Sequence, residues 1–337
     1  MFITDILQYR SLAVVGLAKN TGKTVTLNYI LRGLHDRKKK CLVTSIGVDG
    51  EQQDSVYATS KPEITLYEGM RLVTSEVHYN HRQLLSEIVA TSEWHTAMGR
   101  LVTANVLQRG QVILSGPATT ERLRQIIAAQ RDDASISCTI IDGALSRLSL
   151  ASPTVTEAMV LATGAAVSPS LPQLISKTRF VFNLINLDVV DSWLVDCLSG
   201  ITSGVWAIDN QNQLHDLELP SVFLLSQMGD KLFEYGNRFY VPGAVTDRLL
   251  KSLTNSRRPA QLIVRDFTKL FITPEVYAAF CGMGGSVQVL QRSRLIAVTL
   301  NPTSPQGYTL NSEKACMAMS EALGIPVYDV KQCEKQD

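Results

Sequence analysis

The segment Gly16-Leu17-Ala18-Lys19-Asn20-Thr21-Gly22-Lys23-Thr24 gathers two glycines, two lysines and two hydroxyls into one short stretch. That mixture suits the binding of phosphate. A polyphosphate needs a concavity of backbone N–H groups free of bulky side chains, and the N-terminus of a following helix adds partial positive charge. Gly16 and Gly22 permit close approach, with Asn20 and Thr21 between them. Lys23 is placed to reach the β- and γ-phosphates, and the Thr24 hydroxyl to sit on Mg²⁺, with Val25 continuing the helix start. The expected ligand is ATP or GTP with magnesium.

An acid is also needed to hold the metal. Thr139-Ile140-Ile141 is an apolar, β-prone run that ends at Asp142-Gly143, the arrangement of a carboxylate that binds magnesium directly or through water. A turn-forming aspartate at a strand end explains the same residue, but the loop upstream favours the metal. Of the five histidines only His78 and His81 are spaced to share a helix face, and no further ligand set lies beside them. The six cysteines, Cys41, Cys138, Cys197, Cys281, Cys316 and Cys333, form no CxxC pair and read as reduced and mostly buried. Nothing resembles a serine or cysteine nucleophile.

These residues require a scaffold of alternating strands and helices. Leu12-Ala13-Val14-Val15 reads as a buried parallel strand ending at Gly16, and Leu27, Ile30, Leu31 and Leu34 give the next segment a helical apolar face. Arg37-Lys38-Lys39-Lys40 closes that helix, where cations are favoured. Further strands are expected at 41–46, 64–67, as two runs around Arg109-Gly110, at 139–141 and at 158–161, then at 205–208, 222–225, 262–264 and 295–298. Ser115-Gly116-Pro117 leads into an amphipathic helix through Leu123, Ile126 and Ile127, and further helices are expected at 171–187, 274–280 and 312–323. The pattern predicts an α/β fold: a doubly wound, mainly parallel sheet with an additional C-terminal α/β region. The expected division is residues 1–190 for the nucleotide-binding domain and 191–337 for the remainder, which either completes the same sheet or contacts partners.

The lengthened loop, with five residues rather than four between Gly16 and Gly22, resembles that of dethiobiotin synthetase. Its Gly22-Lys23-Thr24 end is similar to the molybdopterin-guanine dinucleotide biosynthesis protein B family. Both belong to a wider P-loop NTPase class, and that likeness implies a further phosphate contact from Lys19, although its offset from Lys23 is four where the class's signature lysine has five. It also implies a carboxylate after the second strand, near magnesium and the attacking water: Asp49, with Glu51 and Asp54 competing. Ala297-Val298-Thr299-Leu300-Asn301-Pro302 and Gly324-Ile325-Pro326-Val327-Tyr328 resemble the late strand pair of the dethiobiotin synthetase group, which implies that Asn301 helps recognise the base. A turn-initiating Asn-Pro pair explains Asn301 equally.

Taken with Thr44-Ser45-Ile46-Gly47-Val48-Asp49-Gly50-Glu51, Ile141-Asp142-Gly143-Ala144-Leu145-Ser146-Arg147, Ala151-Ser152-Pro153 and Ala162-Thr163-Gly164-Ala165-Ala166, the loop resembles a narrower family. This is the small P-loop subunit, KamB, of the reactivase for lysine 5,6-aminomutase. The resemblance spans about the first half of the chain. It implies an ATPase that acts with a MutS-like partner subunit to restore an adenosylcobalamin-dependent aminomutase. The alternatives are an ATP-dependent ligase of the dethiobiotin synthetase type and a GTPase that serves cofactor insertion. A homodimer is expected only by analogy with the class.

Charge narrows the field. Lys and Arg total 32 against 31 Asp and Glu, so no general basic field exists to hold nucleic acid or an acidic membrane. No apolar run reaches the ~20 residues that span a bilayer, and no secretory signal is visible. The expected location is the cytoplasm.

Overall fold

The computed structural model describes residues 2–46, 63–130, 133–144, 151–218 and 232–333. The chain opens with helix α1 (Ile3–Ile6), strand β1 (Ser11–Gly16), α2 (Lys23–Asp36), β2 (Cys41–Ser45), β3 (Ile64–Leu66) and β4 (Arg71–Ser75). It continues through α3 (Glu76–Asn80), β5 (Gln83–Thr96), β6 (Gly99–Val112), α4 (Thr120–Ala129), β7 (Cys138–Ala144) and β8 (Ala158–Gly164). After α5 (Leu171–Ile185) and α6 (Ser192–Leu198) come β9 (Trp206–Ile208), β10 (Leu214–Asp216), β11 (Arg238–Val241) and β12 (Val245–Thr246). Then follow α7 (Asp247–Asn255), β13 (Gln261–Val264), β14 (Leu270–Phe271), α8 (Pro274–Gly282) and β15 (Ser286–Val289). The last elements are β16 (Arg294–Asn301), α9 (Ser312–Leu323), β17 (Val327–Tyr328) and α10 (Val330–Cys333).

The chain forms two compact units, residues 1–179 with 294–337, and residues 180–293. The first holds a ten-stranded sheet ordered β17-β16-β8-β1-β7-β2-β4-β6-β3, with β5 paired to β6. From β17 to β4 the strands are parallel, and β6 runs antiparallel to β3, β4 and β5. The protein is therefore α/β with a large, mainly parallel sheet. Every residue of β1 and β8 is buried, as expected where both faces of a parallel sheet are covered. Helix α2 lays Leu27, Ile30, Leu31 and Leu34 into the core with Leu12, Val14 and Val43, each side chain contributing about 1.5–3 kcal/mol relative to exposure. The helix stops at Arg37, whose guanidinium donates to the Gly33 carbonyl at 2.9 Å, and at Lys38, which turns to φ 56°.

The second unit has a five-stranded sheet ordered β10-β9-β11-β13-β15, in which β11, β13 and β15 are parallel. Its core joins Val190, Leu194 and Leu198 to Ile208, Tyr240, Ile263 and Leu290. The unit's beginning and end close on each other. Val190 N–H donates to Val289 O at 3.0 Å, Val289 N–H to Asp188 O at 2.9 Å, and Arg292 to Leu187 O at 2.8 Å.

Three features differ from the sequence expectation. Residues 191–337 do not stay together: those from Arg294 onward return to the first sheet, because β16 pairs with β8 in register from Arg294↔Ala158 to Asn301↔Gly164. The two runs expected around Arg109-Gly110 are one strand, β6. Gly110 marks no break but a close crossing, where a Cβ would stand 2.0 Å from Gln83 O. All six cysteines are free as expected, yet only Cys41 and Cys138 are buried, while Cys197 and Cys281 are exposed. Burial pushes the Cys138 thiol up to about 12, which makes it inert. The strand expected at 222–225 lies outside the described residues. Among the described residues no helix is long and apolar enough to cross a membrane.

Candidate functional site

The Gly16–Thr24 segment joins the C-terminal end of β1 to the N-terminus of α2. Leu17 N–H donates to Ala162 O at 2.8 Å, which ties the start of the loop to β8. Thr21 is buried and its hydroxyl donates to Ala18 O at 2.9 Å, closing the loop on itself. Asn20 takes φ 62° and Gly22 φ 84°, the left-handed region that asparagine tolerates and glycine favours. Both glycines are also required sterically. A Cβ on Gly16 would meet Thr21 Oγ1 at 2.8 Å, and one on Gly22 would meet Asn301 Cβ at 2.8 Å.

Gly22 is the N-cap of the 14-residue helix α2, whose first turn contains no acidic residue. Thr26 N–H makes the first intrahelical bond, to Gly22 O at 2.9 Å. The amides of Lys23, Thr24 and Val25 thus belong to the first turn, where N–H groups have no intrahelical acceptor and favour an anion. Thr24 and Val25 are half-buried at this end, and Lys19 and Asn20 are exposed.

Asp142 meets this loop because β7 lies directly beside β1, with Val14 opposite Asp142. Its Oδ1 is 3.0 Å from Lys23 Nζ, with the side chains 15% and 26% exposed. The same Oδ1 is buried and accepts no aligned hydrogen bond; the contact is an ion pair by distance without the direction of a hydrogen bond. Among the described residues this is the contact of its Oδ1, and such a partly buried carboxylate retains lone pairs for a cation. On the other side Ser45 pairs with Asp142, and the Ser45 hydroxyl donates to the Asp142 carbonyl at 3.1 Å.

The end of β2 is fixed by a segment that sequence reasoning had treated only as a lead into a helix. Gly116 lies so close to β2 that a Cβ would stand 1.6 Å from Ser45 O. Its neighbour Ser115 is fully buried, and its hydroxyl donates to Ser75 Oγ at 2.6 Å and shares a hydrogen bond with His78 Nδ1 at 2.9 Å. Ser115 N–H donates to Thr74 Oγ1 at 3.0 Å. His78 is therefore a packed residue that holds this turn, whereas His81 is exposed. The signal available in the sequence was the Ser-Gly-Pro triplet, which marks a turn but not what the turn presses against.

Asn301, at the end of β16, stands over the loop. Its Nδ2 donates to Asn20 O at 3.3 Å, and its Oδ1 accepts from Thr303 N–H at 3.3 Å, a turn contact of the kind an Asn-Pro pair makes. It also borders a shallow cleft of about 10 Å³, room for about one water, lined among others by Thr21, Gly22, Val25, Asn301, Asp329 and Lys331. Replacing Asn301 with alanine is expected to remove about 1 kcal/mol of support from the loop. A nucleotide held by this loop should then bind about three- to tenfold more weakly, read by isothermal titration, with the melting temperature nearly unchanged.

The structure thus brings together Gly16, Asn20, Thr21, Gly22, Lys23, Thr24, Val25, Asp142 and Asn301 at the C-terminal ends of adjacent strands. Asp49, Glu51 and Asp54 lie outside the described residues. No family model matches the chain, and no curated protein or solved structure resembles it significantly.

Proposed function

We propose that this chain is a magnesium-dependent ATPase of the P-loop NTPase fold, which works with a MutS-like partner subunit to reactivate an adenosylcobalamin-dependent aminomutase. The observation that carries the first half is the meeting of Lys23 and Asp142, 3.0 Å apart, beneath an open helix N-terminus. The second half rests on the resemblance of Gly16–Thr24, Thr44–Glu51 and Ile141–Arg147 to the reactivase subunit.

The donor set fits a nucleotide with its metal. Gly16 and the left-handed Gly22 let the loop close tightly on Thr21 and Asn301, where a Cβ would collide. When bound, magnesium neutralises charge on the β- and γ-phosphate oxygens. The amides of Lys23, Thr24 and Val25 would hold phosphate oxygens, and the Lys23 ammonium, now 3.0 Å from Asp142, would supply positive charge to the terminal phosphates. The Thr24 hydroxyl and the Asp142 carboxylate are the residues that would hold the metal. Asp49 is assigned the orientation of the attacking water. Lys19 is assigned to the outer phosphate, since it stands exposed on the same loop.

Adenine is favoured over guanine. Guanine readers commonly offer a carboxylate to its N–H groups. Among the described cleft residues only Asp329 is a carboxylate, and it is 7% exposed. Its oxygens accept from the Ser312 hydroxyl at 2.5 Å and from Lys331 N–H at 3.0 Å, so it caps the start of α10. The Asn301 amide, with one donor and one acceptor group, suits the adenine edge.

Titration of the protein with ATP and GTP in the presence of Mg²⁺ tests this. ATP is expected to bind at least about tenfold more tightly, a difference near 1.4 kcal/mol, and turnover is expected to rise when the partner subunit is added. Preference for GTP would favour the cofactor-insertion alternative. Turnover that depends strictly on a small carboxylate or amine would favour the ligase.

A further inference from the structure

Strand β16 and helix α2 meet along one face of each. Ala297, Thr299 and Asn301 stand two apart on β16 and share a face, while Gly22, Thr26 and Ile30 stand four apart along α2 and its N-cap. Ala297 lies in the same core cluster as Ile30. Thr299 Oγ1 is 2.8 Å from Thr26 Oγ1, and Asn301 occupies the space that a Cβ on Gly22 would need. Two strand residues advance about 6.6 Å and four helix residues about 6.0 Å, so the three levels stay in step. The middle level is a polar contact inside the core: Thr26 is 1% exposed and Thr299 2%.

We propose that the Thr26–Thr299 hydroxyl pair fixes the height of α2 on the sheet and thereby aims the amides of Lys23, Thr24 and Val25, which makes both threonines positioning residues for the nucleotide. This rests on the reading of Gly16–Thr24 as a phosphate loop. Apolar packing between a helix and a sheet is non-directional and tolerates a small slide. A buried hydroxyl pair does not, because a slide would leave both groups without a partner. Thr26 N–H makes the first intrahelical bond, to Gly22 O at 2.9 Å, so a shift of Thr26 carries the start of the helix with it. A threonine hydroxyl that loses its partner inside a helix turns to the carbonyl four residues back, and for Thr26 that carbonyl is Gly22 O, an atom of the loop itself. Two valines of the same shape would hold the core about as well as the pair does, so what the hydroxyls supply is position.

The same sheet carries a second pair of this kind that serves as a control. Thr163 of β8 and Thr178 of α5 are both fully buried, with their hydroxyls 2.9 Å apart. Helix α5, residues Leu171–Ile185, contains no residue of the phosphate loop.

The test compares the double variants Thr26→Val/Thr299→Val and Thr163→Val/Thr178→Val, and the single variant Thr299→Ser, with the wild-type full chain. Thermal unfolding, titration with ATP and Mg²⁺, ATP turnover and amide hydrogen exchange are measured for each. Both double variants are expected to melt near the wild type. The first alone should bind ATP about tenfold more weakly and turn it over about 10- to 100-fold more slowly, with faster exchange at amides 26–28 and unchanged exchange at amides 31–35. Thr299→Ser keeps the hydroxyl and should match the wild type. Affinity that falls only in step with melting temperature overturns the proposal, since the pair would then be ordinary core support. So does an equal loss in both double variants, a serine variant as impaired as the valine pair, or wild-type binding and exchange in Thr26→Val/Thr299→Val. A wild type that binds no nucleotide would sink the ATPase reading, while exchange at amides 26–28 would still decide the positioning role.

Discussion

Replacing Lys23 with methionine is expected to lower ATP turnover at least about 100-fold, the scale seen when a single charge-stabilising donor is removed from a transition state. The methionine keeps the apolar stem and removes only the ammonium. Two effects can be separated. In the nucleotide-free protein the change leaves Asp142, 15% exposed and 3.0 Å from the lost cation, as a partly buried carboxylate without its partner. That costs about 1–3 kcal/mol and should appear as a lower melting temperature. Adding Asp142→Asn to Lys23→Met removes the stranded charge and should restore most of the stability, yet turnover should stay lost. If the double variant regained turnover, the pair would be a structural ion pair and the phosphate role of Lys23 would be wrong.

Gly116→Ala is expected to have the largest effect on stability. The added Cβ would lie 1.6 Å from Ser45 O, 2.5 Å from Ser45 C and 3.2 Å from Ile46 N. All three are backbone atoms of the neighbouring strand end, so no side-chain rotation relieves the overlap. A loss of about 3 kcal/mol or more follows, with a fall in melting temperature on the order of 10 °C. Protein that remains folded should bind nucleotide poorly, because the displaced Ser45 is the residue that holds the Asp142 carbonyl at 3.1 Å. Gly282→Ala is the matched control: it lies at the end of α8 with nothing within 4 Å of the added Cβ, and its stability should be unchanged or slightly higher.

The loop itself was legible because its chemistry is contiguous: a strand, a glycine-lysine turn and a helix in fewer than 30 residues. Asp142 could be picked out for a similar local reason, an apolar run ending in an acid. Its position beside Lys23 could not, since that depends on β1 pairing with β7 and skipping β2, a choice made by the packed sheet. Strands β4 and β5 escaped the pattern because β5 is interrupted by several register shifts and carries polar residues on both faces. Gly116 was invisible as a packing constraint, since a glycine in a Ser-Gly-Pro turn explains itself locally. The division of the chain was misplaced for a related reason. Arg294 begins a strand like any other, and only its pairing with Ala158 reveals that it belongs to the first sheet.

That pairing joins residues numbered 158 and 294, and closing a loop of such length costs chain entropy that grows as its logarithm and slows folding. The hydrogen bonds between residues 187–190 and 289–292 offer a shortcut. Once the 180–293 unit has formed, its two ends already lie together, and the effective loop that β16 must close shrinks to the short connections on either side. The inserted unit would thus act as a folding staple for the first sheet. The edge on which Asn301 sits would then be assembled last, after the chain has made everything that lies between.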